Sequence, residues 1–323
     1  MRALAATGDG GLVEPVRAPE PSAGAGEVLV DVRAVSVNRG ELHRLTGAAA
    51  GWRPGWDFAG VVAEQGTSTC GEPAAGRPAP GTRVFGIADG GSWAERVAVP
   101  VARLAAVPDG LSAERAAALP TAGLTALRTL RMHGDLAGAG VLVTGAAGGV
   151  GRFAVQLARR FKAEVTAVVG RPDRREGLAA LGAAEVVVGV DGLEAGFDLV
   201  LETVGGESLR EALRLVAPHG TVVSFGNSSR ASTTFSVSDF YPKEASLRGF
   251  YVLNDLDGPR TADDLAYLAG LAATGELVVD IAATSDWRDA RAILHRLRDR
   301  RLAGKAVLLV TKDRGSSIAP CST

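Results

Sequence analysis

The run Val141-Leu142-Val143-Thr144 leads into Gly145-Ala146-Ala147-Gly148-Gly149-Val150-Gly151, and a helical segment begins near Arg152. A strand, a glycine-rich turn and a helix in this order suit the binding of a phosphate anion. Residues without bulky side chains let the backbone turn tightly, approach a pyrophosphate and pack the helix on the sheet. The first helical N–H groups and the helix dipole attract the negative charge. The usual G-x-G-x-x-G is altered, with Ala146 at the first glycine followed by Gly148 and Gly151. The surrounding alternation of strands and helices, more than the motif itself, therefore identifies a dinucleotide site.

An NAD site places Asp or Glu after the second strand, about 20 residues past the glycines. Here that strand ends Val168-Val169-Gly170 and continues Arg171-Pro172-Asp173-Arg174-Arg175. A guanidinium offers a planar set of donors to a 2′-phosphate, where a carboxylate would repel it. Charge-assisted bonds of about 1.5–3 kcal/mol correspond to roughly 10- to 150-fold preference. NADPH is the expected cofactor. Asp173 keeps a route to NADH open, and the competing reading of the three arginines is a solvated helix start.

These residues need elements to position them. From Val141 onward apolar strands alternate with helices: Val141–Thr144, a helix to Phe161, Glu164–Val169, a helix to Leu181, Glu185–Val188, Leu199–Glu202, a helix over Glu207–Val216, Thr221–Phe225 and Leu247–Leu253. That series predicts an α/β, doubly wound parallel Rossmann sheet. The part before Pro120 has short β-rich runs punctuated by Gly and Pro, at Glu27–Val35, Gly60–Glu64, Arg83–Ile87 and Trp93–Val99, and reads as mostly β. Later segments predict helices over Thr261–Thr274 and Trp287–Arg300 and a strand over Lys305–Val310, which returns to the first domain. Thr67–Gly81 reads as an irregular surface loop, and the tail from Thr311 as disorder.

Composition narrows the function classes. The chain has 323 residues, 46% hydrophobic and 22% charged, enough for two cores. A formal net charge of -1 leaves no field to hold a polyanion, so nucleic acid is not an expected partner. No stretch approaches the roughly 20 apolar residues of a membrane span, and the first residues lack a signal-peptide core, so the expected setting is cytoplasmic. Cys70 and Cys321 are too sparse for a disulfide framework or metal cluster. His43, His133, His219 and His295 are scattered without paired spacing.

Several segments, taken in order, resemble the quinone oxidoreductase branch of the medium-chain dehydrogenase/reductase superfamily. They are Val37-Asn38, Pro54 to Gly60, Ala118-Leu119-Pro120 to Thr125-Ala126, Gly145 to Gly151, Ser224 to Ser229, and Gly304-Lys305. The resemblance covers the chain to about Val310. It implies a GroES-like catalytic domain formed by residues 1–120 plus 255–323, with the Rossmann domain, 121–254, inserted in it. It also implies an active site in the cleft and a homodimer. Zinc-dependent relatives would have a Cys near Asn38, a His where Trp56 stands and a four-Cys lobe, and none of these is in the sequence. The resemblance places Asn38, Thr125, Phe225, Gly226 and Lys305 against the nicotinamide half of the cofactor. It places Gly148, Gly149, Val150 and Gly151 against the pyrophosphate, and Arg171 and Arg174 against the 2′-phosphate. Glu41 departs from an expected Asp, and Gly189 stands where some relatives offer an aromatic.

The expected reaction is hydride transfer from NADPH to a quinone or to the β-carbon of an α,β-unsaturated carbonyl, both small molecules. Asn38 and Tyr241 are the candidate donors to the developing oxyanion by location, and Trp52 and Trp56 could form an apolar wall or fill the core. A dedicated enoyl reductase of a biosynthetic pathway is one alternative. A noncatalytic NADPH-binding protein is another, since fold alone does not establish chemistry.

Overall fold

The computed structural model describes residues 1–10, 12–66, 77–256 and 260–311. Cys70, Cys321, the first part of the loop Thr67–Gly81 and the tail from residue 312 lie outside them.

Strands β1 (Arg2–Ala6) and β2 (Val13–Arg17) form an antiparallel pair. They are followed by β3 (Glu27–Val37), helix α1 (Arg39–Thr46), β4 (Asp57–Gln65), β5 (Arg83–Ile87), β6 (Arg96–Pro100) and β7 (Leu104–Ala106). Helices α2 (Ala113–Ala117) and α3 (Pro120–Arg131) lead to β8 (Gly140–Val143) and α4 (Gly149–Arg160). Then come β9 (Glu164–Val169), β10 (Glu185–Val188), β11 (Phe197–Glu202), α5 (Glu207–Leu215), β12 (Val216–Ser224) and β13 (Ser246–Gly249). The last described elements are α6 (Arg260–Thr274), β14 (Ile281–Asp286), α7 (Ala290–Arg298) and β15 (Lys305–Leu309).

Strands β8 to β13 form a six-stranded sheet in the order β10-β9-β8-β11-β12-β13, parallel at every pairing. Counted from β8 this is the 3-2-1-4-5-6 order of a doubly wound nucleotide fold, whose switch point lies between β8 and β11. Ligands of such sheets bind beyond the carboxyl ends of the strands at that point. Gly145, Gly170, Thr203 and Phe225 follow the ends of β8, β9, β11 and β12, respectively. One face of the sheet is covered by α4 through Phe153, Ala154 and Leu157. The other is covered by α5 through Ala212, Leu213 and Leu215.

The second large sheet runs β14-β15-β3-β4-β5-β7, with β6 also pairing to β3. Strand β3 is central and buried along most of its length, and β15 pairs with it antiparallel, Ala306 opposite Val37. Helix α3 begins with Pro120 in its first turn and is buried from there to Leu130. It is buried on nearly every side because it packs between α4 and α6.

One predicted element is absent. Arg171–Leu181 forms only a short 3-10 turn, Pro172–Arg174, followed by turns. Gly177 at φ +78° and Gly182 at φ +108° take the left-handed region, which ends an α-helical path. The sheet of β8–β13 begins one of its strands earlier than expected, because β12 starts at Val216 directly after α5.

Candidate functional site

The phosphate turn is built as its residue types demand. Gly145 takes φ +60°, and a Cβ there would lie 2.7 Å from Thr203 Cγ2. A Cβ on Gly151 would lie 2.6 Å from the Ala146 backbone, so only glycine lets α4 sit this close to the turn. Gly148 caps α4 with no side-chain hydrogen bond, leaving the first N–H groups of the helix available to an anion. Gly226 is equally constrained, since a Cβ would meet Thr203 Oγ1 at 2.5 Å.

The two sheets meet at this turn. Gly304 N donates to Ala147 O at 3.1 Å, and Gly148 bridges Gly304 in parallel. The next residue, Lys305, runs its stem across the start of α4, where a Cβ on Gly149 would lie 2.8 Å from Lys305 Cδ. Its Nζ donates to Asn38 Oδ1 at 2.6 Å and lies 3.4 Å from Asp57 Oδ2.

Asp57 is the centre of a buried polar cluster. Its Oδ2 accepts from Ser36 Oγ at 2.5 Å and Asn38 Nδ2 at 2.8 Å, and its Oδ1 accepts from Thr121 N at 2.9 Å and Thr121 Oγ1 at 2.6 Å. Thr121 lies in the first turn of α3, so the helix dipole also favours the carboxylate. Thr125 is buried one turn on, its hydroxyl donating to Thr121 O at 2.6 Å. Glu41 accepts from Asn38 N and Trp56 N, both at 2.7 Å. Burial, then the nearby Asp57 charge, push its carboxyl up to about 8 against the opposing pull of those N–H groups and Lys305.

A rim of arginines borders the turn. Arg39, at the exposed start of α1, is held below its ordinary value by desolvation of its guanidinium and by crowding from Arg300, Arg174 and Arg230. Arg174 donates to Leu302 O at 2.6 Å and to Arg300 O, and Arg300 donates to Ser228 O at 2.9 Å. Among the described residues Arg39, Arg230 and Arg300 meet carbonyl or hydroxyl oxygens and no carboxylate. Arg174 has Asp173 at 3.8 Å, and cations gathered with so few counter-charges are relieved by a bound anion. Arg171 points outward, paired with Asp173 at 3.0 Å.

The structure thus brings Asn38, Thr125, Lys305 and the turn Gly148 to Gly151 to one region, with Phe225 and Gly226 at the adjacent end of β12. It does not bring Tyr241 there. Tyr241 is 66% exposed, and Lys243 of the same 3-10 turn donates to Leu213 O and Arg214 O at the end of α5, beside the opposite end of β12 from Ser224. Trp56 is a core residue, packed against Gly40 and beneath Arg44. Trp52 is partly buried against the core beneath the second sheet. Ser36, Asp57, Thr121, Arg39, Arg230 and Arg300 had no role assigned from sequence. The available signal for Asp57 was an acid at the head of a strand whose next six residues, Phe58 to Ala63, carry no polar side chain. Among the described residues no group of three or more His, Cys, Asp or Glu is placed to hold a metal ion.

A doubly wound sheet, an open phosphate turn at its switch point and a polar cluster brought against it from a second sheet define a dinucleotide-dependent oxidoreductase architecture. Residues 24–109 match the alcohol dehydrogenase GroES-like domain, and residues 149–267 the zinc-binding dehydrogenase domain. The chain belongs to the medium-chain dehydrogenase/reductase superfamily. It is similar to a quinone oxidoreductase from Coxiella burnetii, at 25% identity with a TM-score of 0.83, covering 96% of this chain and 99% of that one. A mycobacterial protein solved in complex with NADPH superposes with a TM-score of 0.86 at 25% identity, covering 96% of this chain and 100% of that one. In sequence, the chain is 36% identical over 321 residues to a spectinabilin polyketide synthase system protein of Streptomyces orinoci. It is 35% identical over 326 residues to an erythronolide synthase of Saccharopolyspora erythraea. These alignments cover 94% and 93% of this chain but only 14% and 8% of those proteins.

Proposed function

We propose that the chain is an NADPH-dependent reductase of conjugated carbonyl acceptors, with an enoyl or enone compound as the favoured substrate class. The observation that carries this reading is the joining, in one region, of an uncapped phosphate turn, an arginine rim in which, among the described residues, only Arg174 has a carboxylate within reach, Asp173 at 3.8 Å, and a buried ammonium. The NADPH complex of the mycobacterial neighbour supports the cofactor. The turn from Gly148 to Gly151 would hold the pyrophosphate, and Arg174 with Arg39, Arg230 and Arg300 the 2′-phosphate. Asn38, Thr125, Phe225, Gly226 and Lys305 would flank the nicotinamide half. When bound, the dihydronicotinamide supplies a hydride equivalent.

The choice of acceptor rests on the polyketide synthase relatives, which set this kind of chain among biosynthetic enzymes. A quinone acceptor is the second reading, favoured by the Coxiella neighbour. A homodimer is supported by β13, an edge strand exposed throughout with Leu247 43% and the following Tyr251 42% exposed.

The test is NADPH consumption with a panel of enones, enoyl thioesters and quinones, a chelator present and NADH in parallel. Faster loss with enoyl acceptors is expected, and faster loss with quinones would replace the favoured class by the second. NADPH binding without consumption by any acceptor would refute the reductase reading in favour of a noncatalytic NADPH-binding protein.

A further inference from the structure

Of the groups in the buried cluster that can carry a proton, one is placed to part with it. Asn38 offers an amide, which donates hydrogen bonds without acting as an acid. Thr125 Oγ1 is committed to Thr121 O. Glu41 is fully buried with both oxygens turned to backbone N–H groups, and Tyr241 is at the far end of β12. Lys305 is different. An ammonium has three N–H bonds, and its partners among the described residues, Asn38 Oδ1 and Asp57 Oδ2, account for two. Its stem lies along the first turn of α4, so the group sits between the phosphate turn and the polar cluster.

We propose that Lys305 is the proton donor of the reductive step and that Asp57 and Asn38 are the residues that position it. This rests on the reductase reading. Hydride addition to the β-carbon of a conjugated acceptor moves the C=C electron pair toward the carbonyl and leaves an enolate. Lys305 then loses one proton: its N–H bond breaks, a C–H bond forms at the α-carbon, and the N–H electron pair stays on nitrogen. The neutral amine regains a proton from water, so the acceptor gains one hydride and one proton overall. With a quinone the same proton goes to the oxygen of the hydroquinone anion. Asp57, with four other hydrogen bonds fixing its oxygens, holds the ammonium in place throughout.

The test compares Lys305→Met, Lys305→Arg and Lys305→Ala with wild type in enone turnover, in NADPH affinity by fluorescence, and in the solvent deuterium isotope effect. Turnover is expected to fall by about 10²–10⁴-fold in all three, the range for a lost general acid. Arginine should fail because it keeps its charge but does not give up a proton. NADPH affinity should fall by a smaller factor than turnover, since Lys305 also flanks the nicotinamide half, and added ethylamine should partly restore Lys305→Ala. The double variant Asp57→Asn/Lys305→Met covers the case in which an unpaired Asp57 prevents folding of the single one. Turnover within tenfold of wild type in Lys305→Met, or a loss confined to NADPH affinity, overturns the proposal while leaving the reductase reading intact. A wild-type protein that binds NADPH and reduces nothing overturns both.

Discussion

Replacing Asp57 by Asn should destabilise the protein through the cation it leaves behind. The Lys305 and Asp57 side chains are 4% and 0% exposed, and their charges are 3.4 Å apart. At an effective dielectric of about 20 the gross Coulomb attraction at this distance is roughly 5 kcal/mol, before desolvation is counted. Asp57→Asn removes that attraction and turns an amide N–H₂ toward donors that previously met a carboxylate oxygen. Breaking a buried pair from one side costs about 3–5 kcal/mol. For a chain of this size that lowers the thermal midpoint by on the order of 10 °C. Asp57→Asn/Lys305→Met removes the stranded ammonium too, and should be less unstable than the sum of the single variants by about 1.5 kcal/mol or more. Calorimetry on all four proteins measures the cycle. A loss below about 1 kcal/mol in Asp57→Asn, or single effects that add within about 0.5 kcal/mol, would refute the view of Asp57 as counter-charge.

Gly151→Ala should cost about 1–3 kcal/mol and weaken NADPH binding, because the new Cβ is 2.6 Å from backbone that cannot move aside cheaply; unchanged affinity in a fluorescence titration would contradict this. Glu41 is pushed up to about 8, so the native chain keeps a proton that the unfolded chain releases near 4.5. Its contribution to stability is full below about pH 4.5 and is lost as the pH rises toward about 8, and Glu41→Gln should flatten that decline in urea titrations. Arg39→Ala should lower NADPH affinity about tenfold with little effect on NADH, as one charge-assisted contact is removed, and equal losses for both would exclude Arg39 from the phosphate rim. Leu247→Lys on the exposed edge strand should convert a dimer to a monomer in sedimentation; a wild-type monomer would remove the basis for the homodimer.

Much of the architecture was legible because the strands flanking the site are short, apolar and bounded by turns. Arg83–Ile87 and Glu185–Val188 have the bounds their residues suggest, and the turn from Gly145 to Gly151 stands where a strand meets a helix. The segment after Arg171 misled because its composition is helical while Pro172 and two left-handed glycines decide its path. The polar cluster was only half legible. Asn38 and Lys305 were singled out by resemblance, but Asp57 acquires meaning from Thr121 and Lys305, 64 and 248 positions away. Arg300 follows α7 in a loop with no motif, and its nearness to Arg39 and Arg174 comes from the meeting of the two sheets. Tyr241 was placed by its location in the loop after the Ser224 to Ser229 segment, whereas that loop carries it to the other end of the strand.

The hydrogen bond from Lys305 to Asn38 joins residues 267 positions apart. At about 5–20 residues per second, the ribosome takes roughly 13 to 53 seconds to make the chain between them. Throughout that interval β3 lacks its neighbour β15, and the carboxylate of Asp57 lacks its cation. The nascent chain therefore carries an open strand edge and an unfinished charge pair, and each is completed by the arrival of the same five-residue strand. Acquisition of the donor and closure of the sheet are one folding event, so a chain that has not finished folding does not possess the site.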